Sequence, residues 1–222
     1  MSTLPVAVLF DLDGTLVDTA PDFVRVLNAL RLKYGRTALD YDVIRVAVSA
    51  GARAMIQVGF PEYSLDSEEF AALRQEFLDN YSLSLAQESR LFTGMESLLQ
   101  ALESRDIPWG IVTNKPRIYS EPLLAGLQLT ERCQVLVCPD DVSQTKPHPE
   151  PMYLACHTLN VLPEHTIYVG DHIRDIQAGN NAGMKTIAVG FGYIPSGERI
   201  IEWQADYCVD TVADLIQHFN FQ

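Results

Sequence analysis

Short apolar runs at 6–10, 109–113, 135–138, 166–169 and 186–189 are separated by stretches of helical periodicity. This alternation constrains the fold more than any other feature. A parallel strand partner is reached only through a crossover long enough to hold a helix, so strands spaced by helices predict a parallel sheet with helices on both faces. Between the first two runs lies a stretch, 18–89, too long for a simple crossover, and its strongest patterns are helical. Phe23, Leu27, Leu30 and Tyr34 recur at helical spacing, with Pro21 near the start and Gly35 just past the end. A second helix is expected over about 67–87, where Asp66 and Glu69 resemble a capping box and Phe70, Leu73, Phe77, Tyr81 and Leu85 form the buried stripe. The expected class is therefore α/β: a Rossmann-like parallel-sheet core over 1–17 and 90–222, interrupted by a helical domain over 18–89.

Composition excludes several functions. The 222 residues are 47% hydrophobic and 20% charged, enough to bury a full core. A formal net charge of −13 repels polyanions, so no nucleic-acid partner is expected. Residues 1–5 lack the basic start of a signal peptide and the run at 6–10 is too short to cross a bilayer, which predicts a cytoplasmic protein with no membrane partner. Cys133, Cys138, Cys156 and Cys208 form no CxxC pair, so they are expected to be reduced and mostly buried rather than zinc ligands or disulfides.

The sharpest local signal is the run Val8-Leu9-Phe10-Asp11-Leu12-Asp13-Gly14-Thr15, a strand ending in two carboxylates two positions apart. Ligands of open α/β sheets sit beyond the carboxyl ends of the strands, where this pattern places Asp11 and Asp13. Three further segments each follow a separate strand and each supplies a group that phosphoryl transfer needs: Thr113 and Asn114, then Lys146 before Pro147, then Asp171 and Asp175.

The motifs DLDGT at 11–15, VTN at 112–114, KPHPEP at 146–151 and GDHIRD at 170–175 together resemble, in order, the four motifs of the haloacid dehalogenase (HAD) superfamily. The resemblance spans nearly the whole chain, because the subclass with a helical cap after the first motif also accounts for the insert. Within it the chain is most similar to the phosphoglycolate phosphatase group. The resemblance implies a Mg²⁺-dependent phosphatase in which Asp11 is the nucleophile and Asp13 the general acid and then base. It also implies that Thr113 and Lys146 serve the transferring phosphoryl group, with Asn114 beside them at the substrate. The implied metal ligands are Asp11, the main-chain carbonyl of Asp13, and Asp171; Asp175 is left open between metal ligand and support for Lys146. This division suits the chemistry, since a carboxylate nucleophile splits one hard hydrolysis into two displacements and oxygen ligands suit Mg²⁺.

His148 and His172 lie beside the motifs, yet the chemistry needs no imidazole, so both are expected to be structural or exposed; Trp109 and Trp203 are expected to be packing residues. Lys115 and Arg174 are equally consistent with positive potential near the phosphate and with surface positions. In the insert, the small segment Ser49-Ala50-Gly51-Ala52-Arg53 is the turn expected to face the ligand, with Arg53 poised to pair with a substrate carboxylate or phosphate. The run SAGARAM at 49–55 also resembles the cap of N-acetylmuramic acid 6-phosphate phosphatases. 2-Phosphoglycolate and that sugar phosphate both carry a carboxylate, so Arg53 does not separate them. Retention of Asp13 disfavours dehalogenation. A phosphomutase retains it too, and a non-catalytic phosphate-binding regulator would ordinarily have lost one of Asp11, Asp13, Lys146 or Asp171.

Overall fold

A computed structural model describes residues 5–219; the first four residues, part of the 1–5 segment that lacks the basic start of a signal peptide, lie outside them. Six parallel strands form one sheet in the order β5-β4-β1-β6-β7-β8. They are β1 Ala7–Phe10, β4 Trp109–Val112, β5 Leu136–Val137, β6 Thr166–Gly170, β7 Lys185–Val189 and β8 Tyr207–Val209. The last was not expected, because a three-residue edge strand whose first residue is exposed carries little pattern.

β1 is central and all four of its residues are buried, as a strand covered on both faces must be. The period of two then assigns the layers. Val8 and Phe10 join the leucines of helix α5 (Met95–Glu103) and α6 (Arg117–Gly126), with Leu215 of α9 (Val212–His218). Leu9 points to the opposite face, against Met152 of α7 (Glu150–Leu159) and Ala178 of α8 (Ile173–Ala182). Leu9→Ala would leave a cavity in a strand that cannot move, costing roughly 2–5 kcal/mol. From β1 the chain proceeds to β4 on one side and later crosses to β6 on the other, so the sheet's topological switch point lies at the end of β1.

The insert is bounded by a short antiparallel pair, β2 Val17–Asp18 with β3 Arg90–Leu91. Between them lie α1 Ala20–Lys33, α2 Tyr41–Arg45, α3 Ala52–Gly59 and α4 Glu68–Ser82, which share their own hydrophobic cluster. α1 begins with Pro21 as expected, but Tyr34 falls outside the buried stripe: it caps the helix, is exposed and bonds Glu76. α4 differs in two ways. Its cap is Ser67, whose hydroxyl accepts the Phe70 N–H at 3.1 Å, not Asp66. It stops at Ser82, so Leu85 lies beyond the helix; the hydroxyls of Ser82 and Ser84 turn back to the carbonyls of Asp79 and Asn80.

Tyr193, from the loop after β7, enters the insert's cluster. Its phenol oxygen accepts the N–H groups of Thr19 and Ala20 at 2.7 and 2.8 Å and its hydrogen goes to Asp18. It thereby caps α1, whose N-cap residue Thr19 makes no side-chain cap. The four cysteines are free, Cys138 and Cys156 buried and the others half-buried. Among the described residues no helix is long and apolar enough to cross a membrane.

Candidate active site

Asp11 is the first residue past β1, and its N–H donates to the Val169 carbonyl at 2.9 Å, which holds it at the sheet's carboxyl edge. The chain turns at Gly14, whose φ of +83° suits glycine. A Cβ there would lie 2.1 Å from Asp171 Oδ2, and one at Gly192 would lie 2.2 Å from Asp171 Cβ. Two glycines thus admit the Asp171 side chain between the turn after β1 and the loop after β7.

Lys146 is buried and its Nζ contacts four groups: Asp175 Oδ1 at 2.7 Å, Asp11 Oδ1 at 2.9 Å, the Tyr168 hydroxyl at 2.8 Å and the Val112 carbonyl at 2.9 Å. Burial opposes its charge, yet the two aspartates outweigh it and its pKa is raised. Asp175 is held from both sides, because its other oxygen accepts the His172 N–H at 3.0 Å in the capping box of α8. Tyr168, whose hydroxyl donates to the Val112 carbonyl, completes the lysine's cradle. Sequence reasoning missed it, although a tyrosine in an apolar central strand signals a buried hydroxyl in need of a partner.

Asp11, Asp171 and Asp175 bring carboxylate oxygens within 4.8 Å of one another, all buried. Burial first, and then the neighbouring aspartates, push Asp11 up to about 6 and Asp171 up to about 7. One lysine pairs with two of the three carboxylates, and it lies near Asp11 Oδ1 without hydrogen-bond geometry, leaving that buried oxygen without a hydrogen bond. A surplus of buried oxygen donors with an unsatisfied atom among them fits a hard divalent cation. Asp171 is oriented for such a role by Thr15 Oγ1 at 3.1 Å, Ser49 Oγ at 2.8 Å and the Tyr193 N–H at 2.8 Å.

Asp13 turns its side chain away from this cluster, toward Thr19 Oγ1 at 2.6 Å and Lys115 Nζ at 2.9 Å. Thr113 is buried, and its hydroxyl oxygen accepts the Lys115 N–H at 3.1 Å, which leaves its hydrogen to donate. The side chain of Asn114 is committed elsewhere than expected. Its amide donates to the Lys146 carbonyl at 3.0 Å and its oxygen accepts the Lys146 N–H at 3.2 Å, so it braces the loop that carries the lysine. Lys115 is buried at the site and not at the surface, and burial pushes the phenol of its partner Tyr81 up to about 12.

Above these groups lies a cavity of about 310 Å³, with Asp11, Asp13, Thr113 and Lys146 at its floor and the insert as its other wall. The expected turn forms part of that wall: Gly51, at φ +86°, precedes α3 and places Arg53 on the helix's first turn. Arg53 is 59% exposed and only loosely paired to Asp66, at 3.4 Å. Arg74 of α4, which the sequence did not single out, also lines the cavity and makes no ion pair among the described residues. Arg174 donates to the Ser49 carbonyl and joins the wall. Neither histidine lines the cavity. His172 caps α8, where burial lowers its pKa to about 4, and His148 accepts the Glu150 N–H. Trp109 and Trp203 are both buried.

Residues 8–189 match the model of the haloacid dehalogenase-like hydrolase family. The chain is 48% identical over 210 residues to an N-acetylmuramic acid 6-phosphate phosphatase of Pseudomonas aeruginosa, covering 95% of this chain and 92% of that one. It is 41% identical over 211 residues to a phosphoglycolate phosphatase of Xanthomonas campestris pv. campestris, covering 95% of each. A crystal structure of a predicted phosphoglycolate phosphatase from Haemophilus somnus superposes with a TM-score of 0.85 at 25% identity, over 98% of this chain and 99% of that one.

Proposed function

As the chain belongs to the haloacid dehalogenase-like hydrolase family and is a phosphatase, we propose that it cleaves a carboxylate-bearing phosphate monoester through a phospho-aspartate on Asp11, with Mg²⁺ as cofactor. The observation that carries this reading is the convergence of Asp11, Lys146 and the Asp171 and Asp175 carboxylates at the end of the central strand. An oxygen of Asp11 attacks phosphorus while the ester P–O bond breaks, and Asp13 gives its proton to the departing oxygen. Asp13 then takes a proton from water as the water oxygen attacks phosphorus and releases Asp11. Lys146 offsets the charge on the phosphoryl oxygens and holds Asp11, while Asp175 holds Lys146. Thr113 donates its hydroxyl to a phosphoryl oxygen. Asp11, Asp171 and the main-chain carbonyl of Asp13 are the residues that would hold the ion. Bound there, it supplies neutralisation between carboxylates and phosphate.

The insert, 18–89, acts as the cap that selects the leaving group, with Arg53 and Arg74 facing the substrate's carboxylate. Of the two esters that relatives suggest, N-acetylmuramic acid 6-phosphate is favoured. A cavity of about 310 Å³ with Phe23, Met55 and Leu78 in its wall accommodates a sugar, whereas a two-carbon acid would fill a small part of it. 2-Phosphoglycolate is the second reading, supported by the relatives at about two-fifths identity. The test is release of inorganic phosphate from both esters and from p-nitrophenyl phosphate, with Mg²⁺ and with EDTA. The expected result is Mg²⁺-dependent release, fastest from the sugar phosphate. Transfer to a second sugar hydroxyl instead of water would reassign the protein as a mutase, and no turnover of any ester would overturn the reading.

A further inference from the structure

Lys115 is where the insert and the core meet in one ammonium group. It follows β4, is buried, and donates to Asp13 Oδ1 at 2.9 Å and to the hydroxyl of Tyr81, on α4, at 2.8 Å. Its Nζ also lies 4.6 and 4.7 Å from the ring centroids of Phe23 and Tyr81, two rings of the insert that stack 4.1 Å apart. The second donor to Asp13 Oδ1 is Thr19 Oγ1, at 2.6 Å. Among the described residues no hydrogen bond falls on Asp13 Oδ2. Two donors on one carboxylate oxygen fix the side-chain torsion and leave the other without a hydrogen bond among the described residues, on a residue that lines the cavity.

The ring of Tyr81 accounts for the packing; its hydroxyl does not take part in the stack. That hydroxyl is the insert's only hydrogen bond to Lys115 among the described residues. An ammonium held by the Asp13 carboxylate and two π faces alone has a softer position than one that also has a neutral oxygen to donate to.

We propose that Tyr81 is a positioning residue for the general acid: from the insert, its hydroxyl seats Lys115 on Asp13 Oδ1, which aims Asp13 Oδ2 at the leaving oxygen. This rests on the phosphatase reading above. Proton donation by Asp13 is completed only when α4 is seated on the core, so the cap that selects the leaving group also readies the group that protonates it. The need for that proton depends on the leaving group. A p-nitrophenolate departs with little help, whereas an unsubstituted phenolate requires more.

Tyr81→Phe removes the hydroxyl and keeps the stacked ring. The measurement is kcat/KM, which reports the first phosphoryl transfer, on p-nitrophenyl phosphate and on phenyl phosphate, with one preparation of each protein. For p-nitrophenyl phosphate the value should stay within about twofold, and for phenyl phosphate it should fall about tenfold, the scale of one hydrogen bond to a charged group. Lys115→Met should steepen the leaving-group dependence in the same way, and Tyr81→Phe added to it should steepen it no further. Equal losses on both esters from Tyr81→Phe would overturn the proposal and assign the hydroxyl to cap closure alone. If Lys115→Met does not fold, the Tyr81→Phe comparison decides alone. Wild-type protein that hydrolyses neither ester would instead overturn the phosphatase reading, and this inference with it.

Discussion

Ser49, in the loop before α3, donates its hydroxyl to Asp171 Oδ2 at 2.8 Å across 122 positions of sequence. The insert thus touches a carboxylate of the acidic cluster, and Arg174, three residues beyond Asp171, secures the contact by donating to the Ser49 carbonyl. Partners behind a metal-binding carboxylate set its plane, and removing one commonly lowers metal affinity by about 10- to 100-fold. Ser49→Ala should therefore raise the Mg²⁺ concentration at half-maximal rate by about tenfold. Titration of Mg²⁺ by calorimetry on the protein without substrate should give the same ratio. An unchanged value in both would mean that Ser49 serves cap seating alone.

Asp11→Asn tests the nucleophile. The amide is nearly isosteric, but it cannot form an acyl phosphate by attack on phosphorus, so turnover should fall below about one per cent of wild type. The substitution also removes one of three clustered buried carboxylates, of which Lys146 pairs with Asp11 and Asp175. Without metal the melting temperature should then be no lower than that of wild type, because like-charge repulsion is relieved. Residual activity above that level, once deamidation is excluded by mass measurement, would remove Asp11 from its role.

Both of these residues bear on how far the sequence could be read. Asp11, Lys146 and Asp171 were legible because each follows a short apolar run, and parallel strands deliver their next residues to one edge. Ser49 on Asp171 and Tyr81 on Lys115 were not legible as contacts, since they join the insert to core segments 122 and 34 positions away. No local pattern encodes how a helical insert settles on a sheet. Asn114 sits where its motif suggested, yet its side chain is spent on the main chain of Lys146. The periodicity of α4 ran on through Leu85 because apolar spacing records faces, not ends. The stop was set by serine hydroxyls that compete for carbonyls, and Ala86 at φ +58° marks the turn.

Asp22 joins the two ends of the insert and predicts a pH-dependent stability. One of its oxygens accepts from Arg25 at 2.6 Å and the Glu88 N–H at 3.0 Å; the other accepts from the Ser89 hydroxyl at 2.6 Å and the Ser89 N–H at 3.0 Å. Burial opposes the charge, but these donors outweigh it and hold the carboxyl below its ordinary 3.8. A depressed pKa contributes stability that is present above the unfolded value and lost as pH falls through the folded one. In Asp22→Asn an amide nitrogen must face donors, so at pH 7 the loss should be about 2 kcal/mol, or about 4–8 °C in Tm. The gap between variant and wild type should narrow as pH drops below about 4. A gap independent of pH would mean that shape, not charge, holds the junction.

The arginines of the cavity separate reading of the leaving group from the chemistry below it. Arg53 and Arg74 lie on different helices of the insert and both line the cavity, while the groups that act on phosphorus belong to the core. Arg53 has only a long, exposed contact with Asp66 to give up, and Arg74 has no ion pair among the described residues, so a substrate carboxylate meets little competition. Arg53→Ala or Arg74→Ala should leave hydrolysis of p-nitrophenyl phosphate nearly unchanged. On N-acetylmuramic acid 6-phosphate, kcat/KM should fall about 10- to 100-fold for whichever arginine pairs with the carboxylate, matching ~1.5–3 kcal/mol for a charge-assisted hydrogen bond. Lysine at that position should restore only part of the loss, because an ammonium lacks the two parallel donors of a guanidinium. Running 2-phosphoglycolate beside the sugar phosphate divides the two substrate readings by which ester the wild-type protein turns over with the higher kcat/KM. Equal losses on the aryl ester and on the carboxylate-bearing esters would mean that the arginines support cap closure, and the recognition of a distal carboxylate would then have to come from elsewhere in the wall.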